Sequence, residues 1–274
     1  MAQATSVAES AAMSIREAAL RGEPLADTFI VNNHSHLGLY YGFAQPNPDA
    51  ESLVRTMDRV GIDQSCVFSS LAITADMRTG NDQNLAAARQ HPGRILAYAV
   101  PDPNLANQVR DEMQRCIDAG ARGIKFHTGL HEYPFAGPGY VPAFELADRH
   151  RLPLISHGVD SPDVLRRTAR AYPNAHLIVA HAGAGRKHPA FDPIYDVALE
   201  EPNVYLDTAG SVAPYGIFAQ LVAHVGAGKI LYGDDFPWMC PTHQIGRILL
   251  APITDDEKKQ IIGGTMQRLL GTRQ

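Results

Sequence analysis

The chain has 274 residues, 45% of them hydrophobic and 19% charged, which is typical of a globular protein with a large core. Its net charge of -5 provides no broad basic surface, so nucleic acid is excluded as the expected partner. No apolar run approaches the roughly 20 residues of a membrane span. The three cysteines are odd in number and widely spaced, which argues against a disulfide framework and favours reduced thiols in a cytoplasmic protein.

The first segment, residues 1–25, is predicted to be an N-terminal helical extension. It is rich in alanine but carries Glu9, Arg16 and Glu17, a pattern that fits an amphipathic helix better than a signal peptide. We expect this extension to cap the following domain or to contact another subunit. In the second case the protein would form a homo-oligomer. Residues 26–274 are predicted to form a single domain, because no linker or low-complexity tract divides them.

Short apolar runs then alternate with segments of helical spacing along almost the whole chain. The predicted strands are Phe29–Asn33, Gln64–Ser69, Ile95–Val100, Gly123–His127, Leu154–His157, His176–Ala180, Val204–Asp207 and Ile230–Gly233. The predicted helices are Ala50–Val60, Asn84–Gln90, Leu105–Ala119, Val141–His150, Pro162–Ala171, Pro193–Glu200, Ile217–Val225 and Thr254–Leu270.

Eight uniformly apolar strands, each followed by a helix, predict an α/β fold of the (β/α)₈ TIM-barrel type, with the N-terminal extension and a C-terminal helix added to it. An open doubly wound sheet is the alternative. Such a sheet normally carries a glycine-rich phosphate loop after its first strand, and this chain has Asn-Asn-His-Ser-His there instead.

Histidine and aspartate gather at the carboxyl ends of the predicted strands, which form one mouth of a barrel. His34 and His36 follow the first strand two residues apart, so they point to the same side of it. His157 ends the fifth strand and Asp235 follows the eighth. Each residue alone more often reflects capping or ordinary polarity. Together, three imidazoles and a carboxylate on one face favour a divalent metal centre with an open position for water.

Ordered motifs along the chain resemble those of the amidohydrolase superfamily. They read V-N-N-H-S-H-L-G, G-I-K-F-H, L-I-S-H-G, V-A-H-A-G-A-G, V-Y-L-D-T-A-G and I-L-Y-G-D-D-F-P-W. The amidohydrolase-2 group, which includes the aminocarboxymuconate-semialdehyde decarboxylase-like enzymes, is the branch that they resemble most. The resemblance covers Phe29 to Leu270 and implies a metal-dependent TIM-barrel enzyme.

The resemblance also implies a set of metal ligands: His34, His36, His157 and Asp235. It implies that Asp235 handles a proton as well, and that His181 is an acid/base or polarises the substrate. Family members usually have aspartate where this chain has Asn32, which is therefore expected beside the ligands, where the lost charge would weaken metal binding or alter a hydrogen bond. Asp234 takes a serine position of the family motif and is expected to point away from the lumen.

One divalent ion is expected, with zinc placed ahead of manganese, iron or magnesium. Other branches of the superfamily bridge two metals with a carboxylated lysine on the fourth strand. Lys125 stands at that place, so a second ion bridged by carboxylated Lys125 is the alternative, although one ion is favoured. The substrate-binding candidates are Lys125, His127, Arg186 and Trp238.

The predicted chemistry is hydrolysis of a C–N or C–O acyl bond, in an amide, lactone or ester, by a metal-activated water. Asp235 or His181 would take the proton from that water and return it to the leaving group. Non-oxidative decarboxylation of an unsaturated or aromatic acid is the alternative, and an inactive metabolite-binding barrel is a lesser one. The fold and the metal ligands are common to these reactions, so they do not separate them. The expected partner is a small-molecule substrate such as a carboxylate or lactone.

Overall fold

Eight parallel strands form the centre of the computed structural model, which describes residues 13–183, 193–210 and 216–271. They are β1 (Val31–Leu37), β2 (Gln64–Ser69), β3 (Ile95–Ala99), β4 (Gly123–His127), β5 (Pro153–His157), β6 (His176–Val179), β7 (Val204–Asp207) and β8 (Ile230–Leu231). Each strand pairs with the next in chain order, and a bridge between Ser35 and Phe236 returns the end of the sheet to its beginning. The predicted (β/α)₈ barrel is confirmed.

Helices alternate with these strands. They are α1 (Ile15–Arg21), α2 (Ala50–Val60), α3 (Ser70–Thr74), α4 (Met77–Gln90), α5 (Ala106–Asp118), α6 (Thr128–His131), α7 (Val141–His150), α8 (Pro162–Ala171), α9 (Ile194–Glu200), α10 (Ile217–Val225), α11 (Pro241–Leu249), α12 (Asp255–Lys259) and α13 (Thr265–Leu269). A π-helical turn, Gln260–Gly264, joins α12 to α13. Within the described ranges, no helix combines the length and apolar character needed to cross a membrane.

Local sequence explains where the helices begin and end. The helix α2 begins after Asp49, whose carboxylate accepts the N–H of Ser52, and it ends at Gly61 in the left-handed conformation. Its buried face carries Leu53 and Met57, which lie four residues apart and so on one side of the helix. The predicted bounds of α2, α7, α8 and α10 are confirmed to the residue.

Other predicted bounds were wrong. The strand β1 continues to Leu37 instead of ending at Asn33, and its register against β2 shifts between Asn32 and Ser35. The helix α4 begins at Met77 instead of Asn84. Its first seven residues contain one large apolar side chain, that of Met77, so the sequence shows no apolar stripe there. The short helices α3 and α6 and the helix α11 were also missed, and β8 is only two residues long.

The N-terminal extension meets the C-terminal helical segment. The backbone N–H of Ile15, at the start of α1, donates to Asp255 Oδ2 at 2.9 Å. Residues 1–12 of the predicted extension lie outside the described residues. The division at residue 25 stays a prediction.

The barrel interior is filled by one apolar cluster that draws on nearly every strand: Val31, Cys66, Tyr98, Ile155, Ile178, Tyr205 and Leu231. On β4, Ile124 and Phe126 join the outer cluster instead, so Lys125 between them faces the interior. Gly123 leaves room for the Tyr98 ring, with which a Cβ would collide. The apolar filling therefore ends at a layer of polar side chains towards the carboxyl ends of the strands.

Candidate metal centre and active site

Side chains from the first strand and from the loop after the last strand meet in this polar layer. Asp235 Oδ1 lies 3.2 Å from His34 Nε2 and 3.4 Å from His36 Nε2. All three residues are buried, and their potential ligand atoms lie within 4.8 Å of one another. The structure thus brings together three of the four residues that the sequence predicts as metal ligands.

Asp207, the last residue of β7, orients His34. Its Oδ1 lies 3.1 Å from His34 Nδ1 and accepts the backbone N–H groups of His181 and Ala209. Its Oδ2 accepts a hydrogen bond of 2.7 Å from Asn33 Nδ2. Because this carboxylate accepts, His34 Nδ1 carries the proton, and Nε2 presents its lone pair to the centre. Sequence reasoning missed Asp207, although it stands at a strand end like the residues that were singled out.

The donor set fits a divalent cation. Asp235 Oδ1 and both ring nitrogens of His36 are buried and have no hydrogen-bond partner among the described residues. Burial lowers the pKa of His34 well below its usual value and that of His36 to about 4, so both are neutral at pH 7. Burial raises the pKa of Asp235, and positive charge on the adjacent imidazoles, where they are protonated, lowers it below its ordinary value. Neutral imidazoles beside a carboxylate form a donor set that zinc, manganese and iron accept.

Lys125 reaches the same centre from β4. Its Nζ lies 3.2 Å from His34 Nε2 and 4.2 Å from the centroid of the Phe68 ring. Burial lowers the pKa of Lys125 to about 8. A protonated Lys125 donates to the lone pair that a metal would use, so the proton and the ion compete for His34.

His157 lies outside the group of converging ligand atoms and joins a hydrogen-bonded chain instead. His181 Nδ1 lies 3.1 Å from the carbonyl oxygen of Ala209, which only accepts, so this nitrogen carries the proton. His181 Nε2 then accepts from His157 Nδ1 at 3.0 Å, which leaves the His157 Nε2 lone pair free. Burial lowers the pKa of His157 to about 3, so that it stays neutral. Its tautomer suits a metal ligand, and its assignment as the fourth one stays a prediction.

His127 lies beside this chain, with its ring stacked on that of His157 at a centroid distance of 4.2 Å. Its Nδ1 accepts the backbone N–H of Leu130 at 3.1 Å, and burial lowers its pKa, so the neutral ring carries its proton on Nε2. His127 also lines a cavity of about 340 Å³. It therefore offers this cavity an N–H donor.

The other side of the cavity is aromatic. Trp238 stacks on His36 with ring centroids 3.7 Å apart and on Phe43 with centroids 5.4 Å apart. The Tyr40 ring lies 4.9 Å from Trp238. Tyr40, Phe43 and Trp238 all line the cavity together with His181.

Asn32 binds backbone groups rather than the side chain of a ligand. Its Oδ1 accepts the N–H groups of His34 at 3.0 Å and Asp234 at 3.2 Å, while its Nδ2 donates to Ser35 Oγ and Ser65 Oγ. Asp234 accepts a hydrogen bond from Ser35 Oγ, and burial raises the pKa of Asp234 to about 7. This cluster therefore holds one carboxyl group, on Asp234, and a neutral amide at position 32.

Backbone strain marks the same site. Asp235 and His181 both adopt the left-handed conformation, with φ of 61° and 59°. This costs a residue with a side chain roughly 1–2 kcal/mol, and such residues cluster at functional sites. A hydrogen bond of 2.8 Å from Asp235 N–H to the His34 carbonyl oxygen holds the turn. Gly233 is required nearby, because a Cβ there would collide with Asp207 Oδ2 and His34 Cβ.

One predicted substrate-binding residue, Arg186, lies outside the described residues. The others occupy different parts of the site. Lys125 is fully buried against His34, whereas His127 and Trp238 line the cavity.

A family model described as amidohydrolase (Amidohydro_2) matches residues 39–272. The chain belongs to the amidohydrolase family. It is an enzyme of that superfamily, in the amidohydrolase-2 group that the motifs resemble. No curated protein sequence matches the chain.

Solved structures with the same barrel are similar at low identity. A 2,6-dihydroxybenzoate decarboxylase complexed with 2,6-dihydroxybenzoate is 16% identical, with a TM-score of 0.72 over 89% of this chain and 99% of that one. A dihydroxybenzoic acid decarboxylase from a Polaromonas species, with manganese and 2-nitroresorcinol, is 18% identical, with a TM-score of 0.70 over 89% and 97%. A manganese complex of 5-carboxyvanillate decarboxylase from Novosphingobium aromaticivorans is 13% identical, with a TM-score of 0.71 over 89% and 96%. At these identities the likeness establishes the fold.

Proposed function

We propose that this amidohydrolase is a metal-dependent, non-oxidative decarboxylase of aromatic or unsaturated carboxylic acids. The observation that carries the proposal is a cavity of about 340 Å³ with Asp235 and histidines on one side and Tyr40, Phe43 and Trp238 on the other. This volume lies near the lower end for small-ligand pockets and suits a single-ring acid. The activities of the similar decarboxylases support this reaction ahead of hydrolysis, which is the first expectation from the sequence.

The cofactor is proposed to be one divalent ion, zinc or manganese, held by His34, His36 and Asp235 with His157 as a fourth ligand. When bound, the ion supplies positive charge that stabilises the electron pair left on the substrate as carbon dioxide departs.

The side chains around the cavity divide the remaining work. Decarboxylation replaces the carboxylate by a proton, so that R–COO⁻ and H⁺ give R–H and CO₂. Asp235 and His181 are proposed to carry this proton, since both line the cavity. The Nε2–H of His127 is proposed to bind a substrate oxygen. The aromatic wall excludes water from the reacting carbon.

To test this proposal, the metal-reconstituted protein is incubated with a panel of hydroxybenzoates and unsaturated acids in deuterated water. We expect carbon dioxide release and deuterium at the vacated carbon, seen by NMR. Asp235→Asn should abolish both. Glu112→Gln is the matched control, because Glu112 is a buried carboxylate bonded to Asn81 and Arg115, outside the cavity. Solvent ¹⁸O entering the products of lactones, esters or amides, without decarboxylation of any acid, would establish the hydrolase instead. Ligand binding without turnover of any compound would establish the inactive barrel.

A further inference from the structure

His36 differs from the other histidine of its strand in how its ring is held. A histidine that binds a metal usually donates its second ring nitrogen to a carboxylate, carbonyl or water, which fixes the ring orientation. His34 follows this rule through Asp207. His36 differs: its Nε2 faces Asp235 Oδ1 at 3.4 Å, but its Nδ1 has no hydrogen-bond partner in the part of the chain that the structure describes, although the residue is only 1% exposed.

Aromatic rings hold His36 instead. The Trp238 indole stacks on its imidazole with centroids 3.7 Å apart and an interplanar angle of 24°. The Phe68 ring meets the imidazole edge-on, at 4.5 Å and 84°. At these distances the imidazole cannot rotate about its Cβ–Cγ bond without pushing into the indole. Packing therefore fixes the direction in which the nitrogens of His36 point.

Trp238 is itself held in place. Its backbone N–H donates to the carbonyl oxygen of Asp235 at 2.8 Å, and the Phe43 ring lies nearly parallel to its indole, at 15°. No ring contact joins His36 to Phe43 among the described residues, so the two cover opposite faces of the indole. Both faces of the indole are therefore covered by rings, while Trp238 still lines the cavity.

We propose that Trp238 is a positioning residue for the metal ligand His36, and that the Phe43–Trp238 stack fixes an imidazole whose Nδ1 meets no protein hydrogen-bond partner among the described residues. The inference rests on the metal centre within the proposed function. Through Trp238, the side chain of Phe43 in the loop after β1 then influences the affinity of the centre for its ion. A change at Phe43 then alters metal binding without touching a metal ligand.

The test uses the full chain and the metal alone. Trp238 is the only tryptophan in the sequence, so its fluorescence reports on the imidazole against which it stacks. We expect Mn²⁺ or Zn²⁺ to change this fluorescence, and His36→Ala to remove the change. Trp238→Ala should raise the metal Kd about 10–100-fold, the usual effect of losing a group that orients a ligand. Trp238→Phe, which keeps a ring in place, should restore most of the affinity.

The control and a second variant keep the result decisive. Tyr41→Ala removes an aromatic ring from the same loop that is 84% exposed and contacts only Tyr40 among the described rings, so it should leave the metal Kd unchanged. Trp238→Leu fills the space without a ring and is measured if Trp238→Ala does not fold. Metal binding by the alanine or leucine variant within about twofold of the parent, or a phenylalanine variant as weak as these, would overturn the proposal. The Kd needs no substrate, so failed decarboxylation by itself leaves this inference standing.

Discussion

Replacing Asp207 by asparagine tests how the centre is built. The change removes the negative charge that faces His34 Nδ1 while keeping an oxygen for that nitrogen and for the N–H groups of His181 and Ala209. The new amide nitrogen would face Asn33 Nδ2, which now donates to the carboxylate at 2.7 Å. Asn33 Oδ1 has no hydrogen-bond partner in the described chain, so a flip of that amide removes the conflict. The fold should therefore survive Asp207→Asn.

The Asp207→Asn substitution is expected to lower the affinity of the centre for its metal ion. Without the carboxylate, His34 Nε2 becomes a weaker donor, and losses of this kind typically reduce metal affinity about 10–100-fold, or roughly 1.4–2.7 kcal/mol. The disturbed hydrogen bonds should lower the free energy of unfolding by only on the order of 1 kcal/mol.

The assay is competition for Zn²⁺ or Mn²⁺ with a chromogenic chelator, with urea unfolding of the metal-free protein measured alongside. Glu112→Gln serves as the control, since it removes a buried charge with no contact to the centre. An Asp207→Asn variant that binds metal as tightly as the parent would show that Asp207 supports the fold alone.

Three further predictions follow from the same contacts. Elemental analysis should find one ion per chain, and two ions would instead favour the carboxylated form of Lys125. Asn32→Asp should lower the free energy of unfolding by placing a second buried carboxylate against Asp234, and adding Asp234→Asn should restore it; a double variant no more stable than the single one would refute this coupling. The metal-free protein should lose stability as the pH falls from about 6.5 towards 4. The pKa of His36 drops from its usual value to about 4 on folding, so the unfolded state binds more protons in this window. His36 alone should contribute on the order of 2 kcal/mol between pH 7 and pH 5, and urea unfolding that is equal at both would contradict the assignment.

The barrel and the location of its site followed from the sequence because both depend on local patterns. Short, uniformly apolar strand segments, helical spacing such as that of Leu53 and Met57, and caps such as Asp49 are set by residues near one another in the chain. The strand-end rule then placed His34 and Asp235 on one face, where the structure finds them.

What the sequence could not provide depends on tertiary contacts. Asp207 ends an apolar strand in the same way as His157, but only the strand order shows that its carboxylate meets His34. Trp238 lines the cavity, as a predicted substrate-binding residue should, but its contact with a metal ligand could not be predicted. The stack with His36 and Phe43 requires two loops to meet, which no local spacing encodes.

The seam where the barrel closes has a consequence for folding. The hydrogen bonds from Asn33 to Tyr232, from His36 to Phe236 and from Asp235 to His34 join the first strand to the last segment of the barrel. His34 and His36 lie on one side of this seam and Asp235 on the other, so an ion bound by them would link β1 to the segment after β8 as a cross-link does. The metal centre can therefore assemble only after the final strand has docked. Removal of the ion by a chelator should accelerate hydrogen exchange first at the backbone amides of this seam.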